Sequence, residues 1–461
     1  MINSRQRRLK TLVGAGSFVF ASSDANASFG ARRAADLARK AEAEKITGLF
    51  TADLLQADPA GLSGTTGTQE PIVALAALSL ATSRIGLVAT ISTTYHHPYN
   101  LARLIGTLDH VSGGRAAWNA VTSSVGEENF GGDALPAPAK RYERAAEFIE
   151  VVNKLFDANE PQAVNRGSEG GIRLDPSKLH RIDYRGAHFH VQGPLNVPPP
   201  PQGRPVQFQA GQSREGMTLG ARYAEVVYTS QPTLEAAIDF VGELRRQAIS
   251  FGRGANLPLI MNSFHSVIGD SEADVSRRLR DKHEKIDFVQ GRFKLSDMLG
   301  GNIDLSDLPL DEPLPERLLP NVDSINRRRG RVEIFRRYAR QGLSLRELII
   351  QAQETGHWSV AGTPEQLACA IEERFRAGVL DVISLHGLGN PDQEDLLLNG
   401  LLPELRKRKL LDDDYIGDSF RSNLELPKLR ANTPFELAEE HPVTPEMTAA
   451  MKPAARKSAH G

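Results

Sequence analysis

The chain has one cysteine, Cys369, among 461 residues. That excludes a disulfide framework, a thiolate metal cluster and a redox pair. The surrounding EQLACAIEERF has helical spacing with the thiol on its apolar side, which predicts a buried, inert group. A surplus of one charge is missing as well: 55 basic and 57 acidic side chains leave a net charge of −2. Nothing overall draws the molecule to nucleic acid or a membrane surface. No segment approaches the roughly 20 apolar residues needed to span a bilayer. The one basic block, INRRRGRVEIFRRYARQG from Ile325 to Gly342, has helical spacing and no interleaved stacking aromatics. It reads as a solvated helix face, with an arginine that meets an anionic substrate as the alternative.

The N-terminal RQRRLKTLVGAGSFVFASSDANAS has the basic start, short apolar run and Ala25-Asn26-Ala27 of an export leader. Its apolar stretch contains Gly14 and Gly16 and alternates like a strand. Cleavage after Ala27 would remove the first strand of the fold, so the expectation is a cytoplasmic protein.

What is present is 40% hydrophobic residues arranged in one repeating theme. LKTLVGAGSFVF, TGLFTADLL, RIGLVATIST and AAWNAVTS read as buried strands. Helical patterns separate them, and EPIVALAALSLATS has Pro71 early, where proline is tolerated. In NLARLIGTLDHVSGG the Gly113-Gly114 ending suits a C-cap. PVQFQAG, EVVYTS, LPLIMNSFHSVIG and DVISLHG supply four more strands. Eight strand–helix units, with strands too apolar to face water, predict an α/β fold: a closed (β/α)8 barrel of the TIM type. An open doubly wound sheet is the alternative. The GAGSFVF near the start lacks the third glycine and following helix of a dinucleotide fingerprint.

Two stretches exceed normal loops and read as insertions, one after helix 4 (157–204) and one between strands 7 and 8 (290–360). The first contains a hairpin pattern, HRIDYRGAHFHVQG, so His188 and His190 read as hairpin surface. The barrel with its insertions spans 1–427, and 428–461 reads as an arm or disordered tail.

In such a barrel chemistry sits at the carboxyl ends of the strands. Asp53 ends the second strand, Thr90 lies in the third, Asn119 in the fourth, and Tyr142 starts the fourth helix. The fifth strand runs into QFQAGQSREG, where Gly211, Ser213 and Arg214 precede a helix. Unpaired N–H groups and the helix dipole there favour an anion, although Ser213 is a good N-cap without any ligand. The ring of hydroxyl, amide and carboxylate groups suits a phosphorylated ligand with a polyol and a heterocycle. No metal cluster and no nucleophile–base pair is visible in the spacing.

The blocks RIGLVATISTTYHHPYNLARLIGTLDHVSGGRAAWNAVTSS, NFGGD, KRYERAAEFIEVV, GPLNV, PQGRPVQFQAGQSREG and YIGDSFRSNLEL resemble the nitrilotriacetate, EDTA and dibenzothiophene-sulfone monooxygenase family. That group lies within the bacterial luciferase-like superfamily. The resemblance runs from about residue 10 to about residue 427 with the order of blocks preserved. It implies a two-component monooxygenase on a TIM barrel. FMN is supplied as FMNH2 by a separate NAD(P)H-dependent flavin reductase and used with O2, through a flavin (hydro)peroxide, on a small organic substrate. Cleavage of a C–N, C–S or C–halogen bond is the expected outcome, and a homodimer or homotetramer the expected assembly. Matched position by position, Asp53, Thr90, Asn119, Tyr142, Gly211, Ser213 and Arg214 correspond to cofactor-binding residues. Pro138 stands where the family often has histidine, and ASSDANASFG departs from its motif after the first strand. His97 and His386 are the candidate proton donors. An F420-dependent oxidoreductase and a non-catalytic flavin-binding protein are the alternatives.

Overall fold

A computed structural model describes residues 7–15, 28–56, 69–166, 172–254, 256–301, 303–326 and 329–429. Eight parallel strands close into a barrel: β1 (Lys10–Gly14), β2 (Gly48–Thr51), β3 (Gly86–Ser92), β4 (Ala116–Val121), β5 (Val206–Ala210), β6 (Val226–Thr229), β7 (Leu259–Ile268) and β8 (Val382–Leu385). β1 lies between β2 and β8, with Leu12 opposite Gly48 and Ser384, and the pairing of Val226 with Leu259 closes the ring. The expected (β/α)8 barrel is therefore present. Because Lys10–Gly14 bonds to both neighbours, loss of the chain up to Ala27 would open it. Ala25 to Ala27 and the segment 430–461 lie outside the described residues.

Strand alternation sends one set of side chains inward. Leu12, Val88, Ala117, Val206, Phe208, Val226, Met261 and Val382 share one cluster with Phe420 and Leu424. Phe420 comes from a short C-terminal helix capped by Ser419 and stacks on Phe208 at 6.2 Å. It plugs the N-terminal end of the barrel. A Cβ on Gly86 would sit 2.1 Å from its ring, so only glycine admits the plug.

The flanking helices follow their local signals. In α3 (Pro98–Ser112), proline fills the first position and Gly113 ends the helix at φ 70°. In α2 (Pro71–Ser79) and α4 (Pro138–Asp157) proline again occupies the first turn. α5 (Arg214–Tyr223) starts at Ser213, whose hydroxyl accepts from the Gly216 N–H at 3.2 Å.

Both insertions have structure of their own. The first contains antiparallel pairs at 164–166 with 172–174 and at 184–185 with 190–191, the second being the predicted hairpin. The second insertion supplies three further helices, Phe288–Met298, Arg329–Arg340 and Leu345–Gln353, around a separate apolar core that includes Leu295, Phe335, Leu348 and Ile349. A strand, Trp358–Gly362, then lengthens the sheet along the far end of β7.

Cys369 corrects one expectation. The helix Pro364–Arg376 buries Leu367, Ala368, Ile371 and Phe375, which turns Cys369 outward beside Arg408 Nη1 at 3.2 Å; the thiol is exposed. The basic block is corrected in part. It buries Val332, Ile334, Phe335 and Ala339, and Arg337 and Arg340 face outward, but Arg329 and Arg331 turn toward the barrel mouth. No helix among the described residues is long and apolar enough to cross a membrane.

Candidate active site at the barrel mouth

At the carboxyl ends of β2 to β6 lies a cleft of about 360 Å³. Its lining includes Asp53, Ser92, Ser123, Tyr142, Gly211 and Ser213. Ser213 Oγ stands 3.5 Å from Tyr142 OH. The two residues are 71 apart in sequence, and the barrel brings them together because α4 packs beside α5.

The turn beneath them admits no side chain. A Cβ on Gly216 would lie 2.9 Å from both Gly211 Cα and Tyr142 OH, and one on Gly211 would lie 2.5 Å from Gln209 Nε2. The second insertion closes over the same turn. Gly330, at the N-terminus of its helix, sits so near that a Cβ there would be 2.8 Å from Gln212 Cβ. Two helix N-termini thus converge on Ser213, and their dipoles add in favour of an anion.

The charges come from elsewhere than expected. Arg214 is exposed and does not line the cleft, whereas Arg141, Arg329 and Arg331 do. Arg141 is buried and donates to the Pro136 and Asn326 carbonyls at 2.7 and 2.8 Å, which ties the insertion to α4. The one sequence signal for Arg329 and Arg331 was the arginine block itself. Its periodicity shows a helix without showing what that helix faces.

Thr90 and Asn119 stand opposite each other in the β3–β4 register, below the residues that line the cleft. Asn119 Nδ2 donates to Thr90 Oγ1 at 3.1 Å, and both side chains are buried. Asn119 Oδ1 is buried with no partner among the described residues. A buried amide acceptor left unpaired costs roughly 1–3 kcal/mol, so it is expected to meet a donor. Above it Ser123 Oγ bonds Ser92 Oγ at 2.7 Å, and Ser92 accepts from the Thr94 and Tyr95 N–H groups.

The adjacent His96 and His97 follow a turn and differ in exposure. His97 is exposed and caps α3, accepting from the Tyr99 N–H at 3.3 Å. His96 is half-buried; burial lowers its proton affinity, partly offset by Glu70 and Asp53. Pro138 lines the cleft at the first position of α4. His386 follows β8 and belongs to a second group of polar residues, across the mouth. In the hairpin His188 bonds Glu143 at 3.2 Å. Among the described residues no group of three or more histidine, cysteine, aspartate or glutamate side chains is arranged to hold a metal ion.

A family model described as luciferase-like monooxygenase matches residues 13–381. The chain belongs to the luciferase-like monooxygenases. It is 37% identical over 397 residues to N-acetyl-S-(2-succino)cysteine monooxygenase of Bacillus subtilis strain 168, covering 85% of this chain and 89% of that protein. To nitrilotriacetate monooxygenase component A of Aminobacter aminovorans it is 38% identical over 362 residues, covering 78% and 79%. Among solved structures, EDTA monooxygenase from Chelativorans sp. BNC1 superposes with a TM-score of 0.71 at 30% identity, over 92% of this chain and 99% of that one. The luciferase-like family is flavin-dependent, and this member is accordingly a flavin-dependent monooxygenase.

Proposed function

We propose that this luciferase-like monooxygenase is the oxygenase half of a two-component system. It takes reduced FMN from a separate NAD(P)H-dependent flavin reductase and uses O2 to place one oxygen atom in a small organic substrate. The observation that carries the reading is the Ser213–Tyr142 pair over a glycine turn at the head of α5. Those hydroxyls and the 211–214 backbone would hold the phosphate, with Arg329 and Arg331 supplying charge. Thr90, Asn119 and Asp53 would serve the polyol and ring, and Asn119 Oδ1 offers the unpaired acceptor such a ligand needs. Bound reduced FMN supplies two electrons and the place where O2 reacts. The protein's own task is to orient the substrate and keep water out.

An anionic substrate fits this chain. A second cavity of about 620 Å³ lies between the insertion helices and the strand Trp358–Gly362, and Lys282, Lys285 and Lys294 line it. Lys294 is half-buried, bonds only the two Gln353 oxygens at 3.4 Å among the described residues, and has its pKa lowered by desolvation. Glu354 lines the same cavity and attracts Lys294 from a distance, but its two oxygens already take Lys282 and His265, so a substrate carboxylate would give Lys294 a direct partner. The relatives named for nitrilotriacetate and for a succinylated cysteine suggest carboxylated amines and thioethers, with C–N or C–S cleavage. The assembly we expect is a homodimer or homotetramer in the cytoplasm.

The deciding experiment supplies the chain with FMN, an unrelated NADH-driven flavin reductase and 18O2, then screens carboxylated amines and thioethers. The reading requires substrate-dependent O2 uptake and one labelled oxygen per product. Tight FMN binding with no labelled product from any substrate would leave a flavin-binding protein. Preference for F420 over FMN in competition would leave a hydride-transfer enzyme.

A further inference from the structure

Across the mouth from the anion seat three histidines meet that lie far apart in sequence. His265 projects from β7, His357 precedes the strand Trp358–Gly362, and His386 follows β8. The His265 ring stacks on His357 at 5.0 Å and 9° and lies 4.4 Å from His386. His357 Nδ1 is 2.7 Å from Ser230 Oγ, and Ser230 lines the cofactor cleft. His386 Nε2 is 2.8 Å from Ser263 Oγ.

Two of these imidazoles are held neutral. Burial brings His386 down to about 4, with His265 adding to the effect, and burial together with Arg331 holds His357 well below its ordinary value. His265 has a different partner. Its Nδ1 is 2.7 Å from Glu354 Oε2, and the other carboxylate oxygen takes the Lys282 ammonium. Burial would raise Glu354, but the bonds from His265 and Lys282 outweigh it and bring it to about 2. The His265 side chain is 26% exposed and Glu354 13%, so the histidine is reachable while its anchor is covered.

We infer that His265, oriented by Glu354, carries the proton of the barrel mouth and delivers it to the heteroatom that leaves when an oxidised substrate breaks. This rests on the monooxygenase reading. Hydroxylation of a carbon beside nitrogen or sulfur gives a carbinol. For it to collapse, the C–N or C–S bond breaks, the hydroxyl oxygen's electrons form C=O, and the heteroatom takes a proton. Imidazolium Nε2–H supplies that proton, and the hydroxyl proton returns through solvent to the neutral ring. No electrons enter or leave in this step. Glu354 stays ionised throughout, fixing Nδ1 as donor and leaving Nε2 for the substrate. The charged and titratable groups around His265 are His357, His386, Glu354 and Lys282, with Lys294, Arg331 and Tyr228 beyond them.

The test begins with the full chain labelled at histidine nitrogen and read by NMR without cofactor, with His265→Gln to assign the signal. The Nδ1–H of His265 should give a hydrogen-bonded proton resonance that Glu354→Gln shifts and Glu354→Asp restores in part. A resonance unmoved by Glu354→Gln overturns the dyad. The second measurement is single-turnover release of the cleaved product from a carboxylated amine or thioether. His265→Gln should slow it at least tenfold and remove the basic limb of its pH profile, with FMN affinity unchanged. Unaltered release overturns the role. Failure of the monooxygenase reading would show separately, as wild-type chain without labelled product, and would leave the Nδ1–H resonance untouched.

Discussion

Ser213 Oγ lies 3.5 Å from Tyr142 OH, so a helix-capping hydroxyl and a phenol from a neighbouring helix face one point. Neither needs the other for folding: Ser213 already caps α5 through the Gly216 N–H, and Tyr142 packs against the main core. Two donors aimed at one place, above a turn with no room for a Cβ, make a ligand the simplest account of the pair.

Tyr142→Phe should therefore weaken FMN binding by about 1–3 kcal/mol, the loss of a hydrogen bond to a charged group. Ser213→Ala should do the same and also lower stability by about 1 kcal/mol through the lost cap. Fluorescence titration and thermal melts separate the two effects. Unchanged affinity in both variants would return Ser213 to a capping role alone.

Gly216→Ala should be worse for binding than either. Its new methyl would push against the Gly211 backbone and the Tyr142 hydroxyl, both 2.9 Å away, and spread the seat. An affinity loss exceeding that of Tyr142→Phe, with far-UV dichroism unchanged, is the expected outcome.

Arg331→Ala removes a cation that lines the cleft and acts electrostatically on His357 and Lys294. FMN binding should weaken and its salt dependence should flatten, since the attraction is partly screened charge. Lys294→Met, in the other cavity, should raise KM for carboxylated substrates several-fold and spare neutral ones. Equal effects on both substrate types would make Lys294 structural.

Acid stability should fall in two stages. His386 has a folded pKa lowered to about 4, so its contribution is present above about 6.5 and lost as pH drops toward 4. Glu354 is lowered to about 2, so its contribution is present above about 4.5 and lost between there and 2. The second stage amounts to at most about 3 kcal/mol. Urea melts across pH should show Glu354→Gln flattening the lower stage.

Phe420→Ala tests the barrel floor. The ring is fully buried against Phe208, Gly48 and Gly86, so truncation should cost roughly 3–5 kcal/mol. FMN affinity should change little, because the plug lies at the opposite end from Ser213.

What could be read from the residues was what local physics writes into a line of sequence. Apolar periodicity marked eight strands and their helices, prolines and glycines marked helix ends, and the order of blocks marked the family. That Asp53, Gly211 and Ser213 line the cleft was legible because a strand's carboxyl end is a place along the chain, and Tyr142 because it stands in the first turns of the helix after β4. Three things depended on the folded form. Cys369 faces solvent because the helix turns another side inward, a matter of about 100° per residue that composition does not record. Arg329 and Arg331, not Arg214, face the cleft because the insertion folds back over the turn before α5. His265, His357 and His386 met only when β7 and β8 became neighbours in the closed ring, with Glu354 arriving from the insertion. A hydrogen bond across 89 residues has no local signature, since closing so long a loop is decided by the packing of everything between its ends.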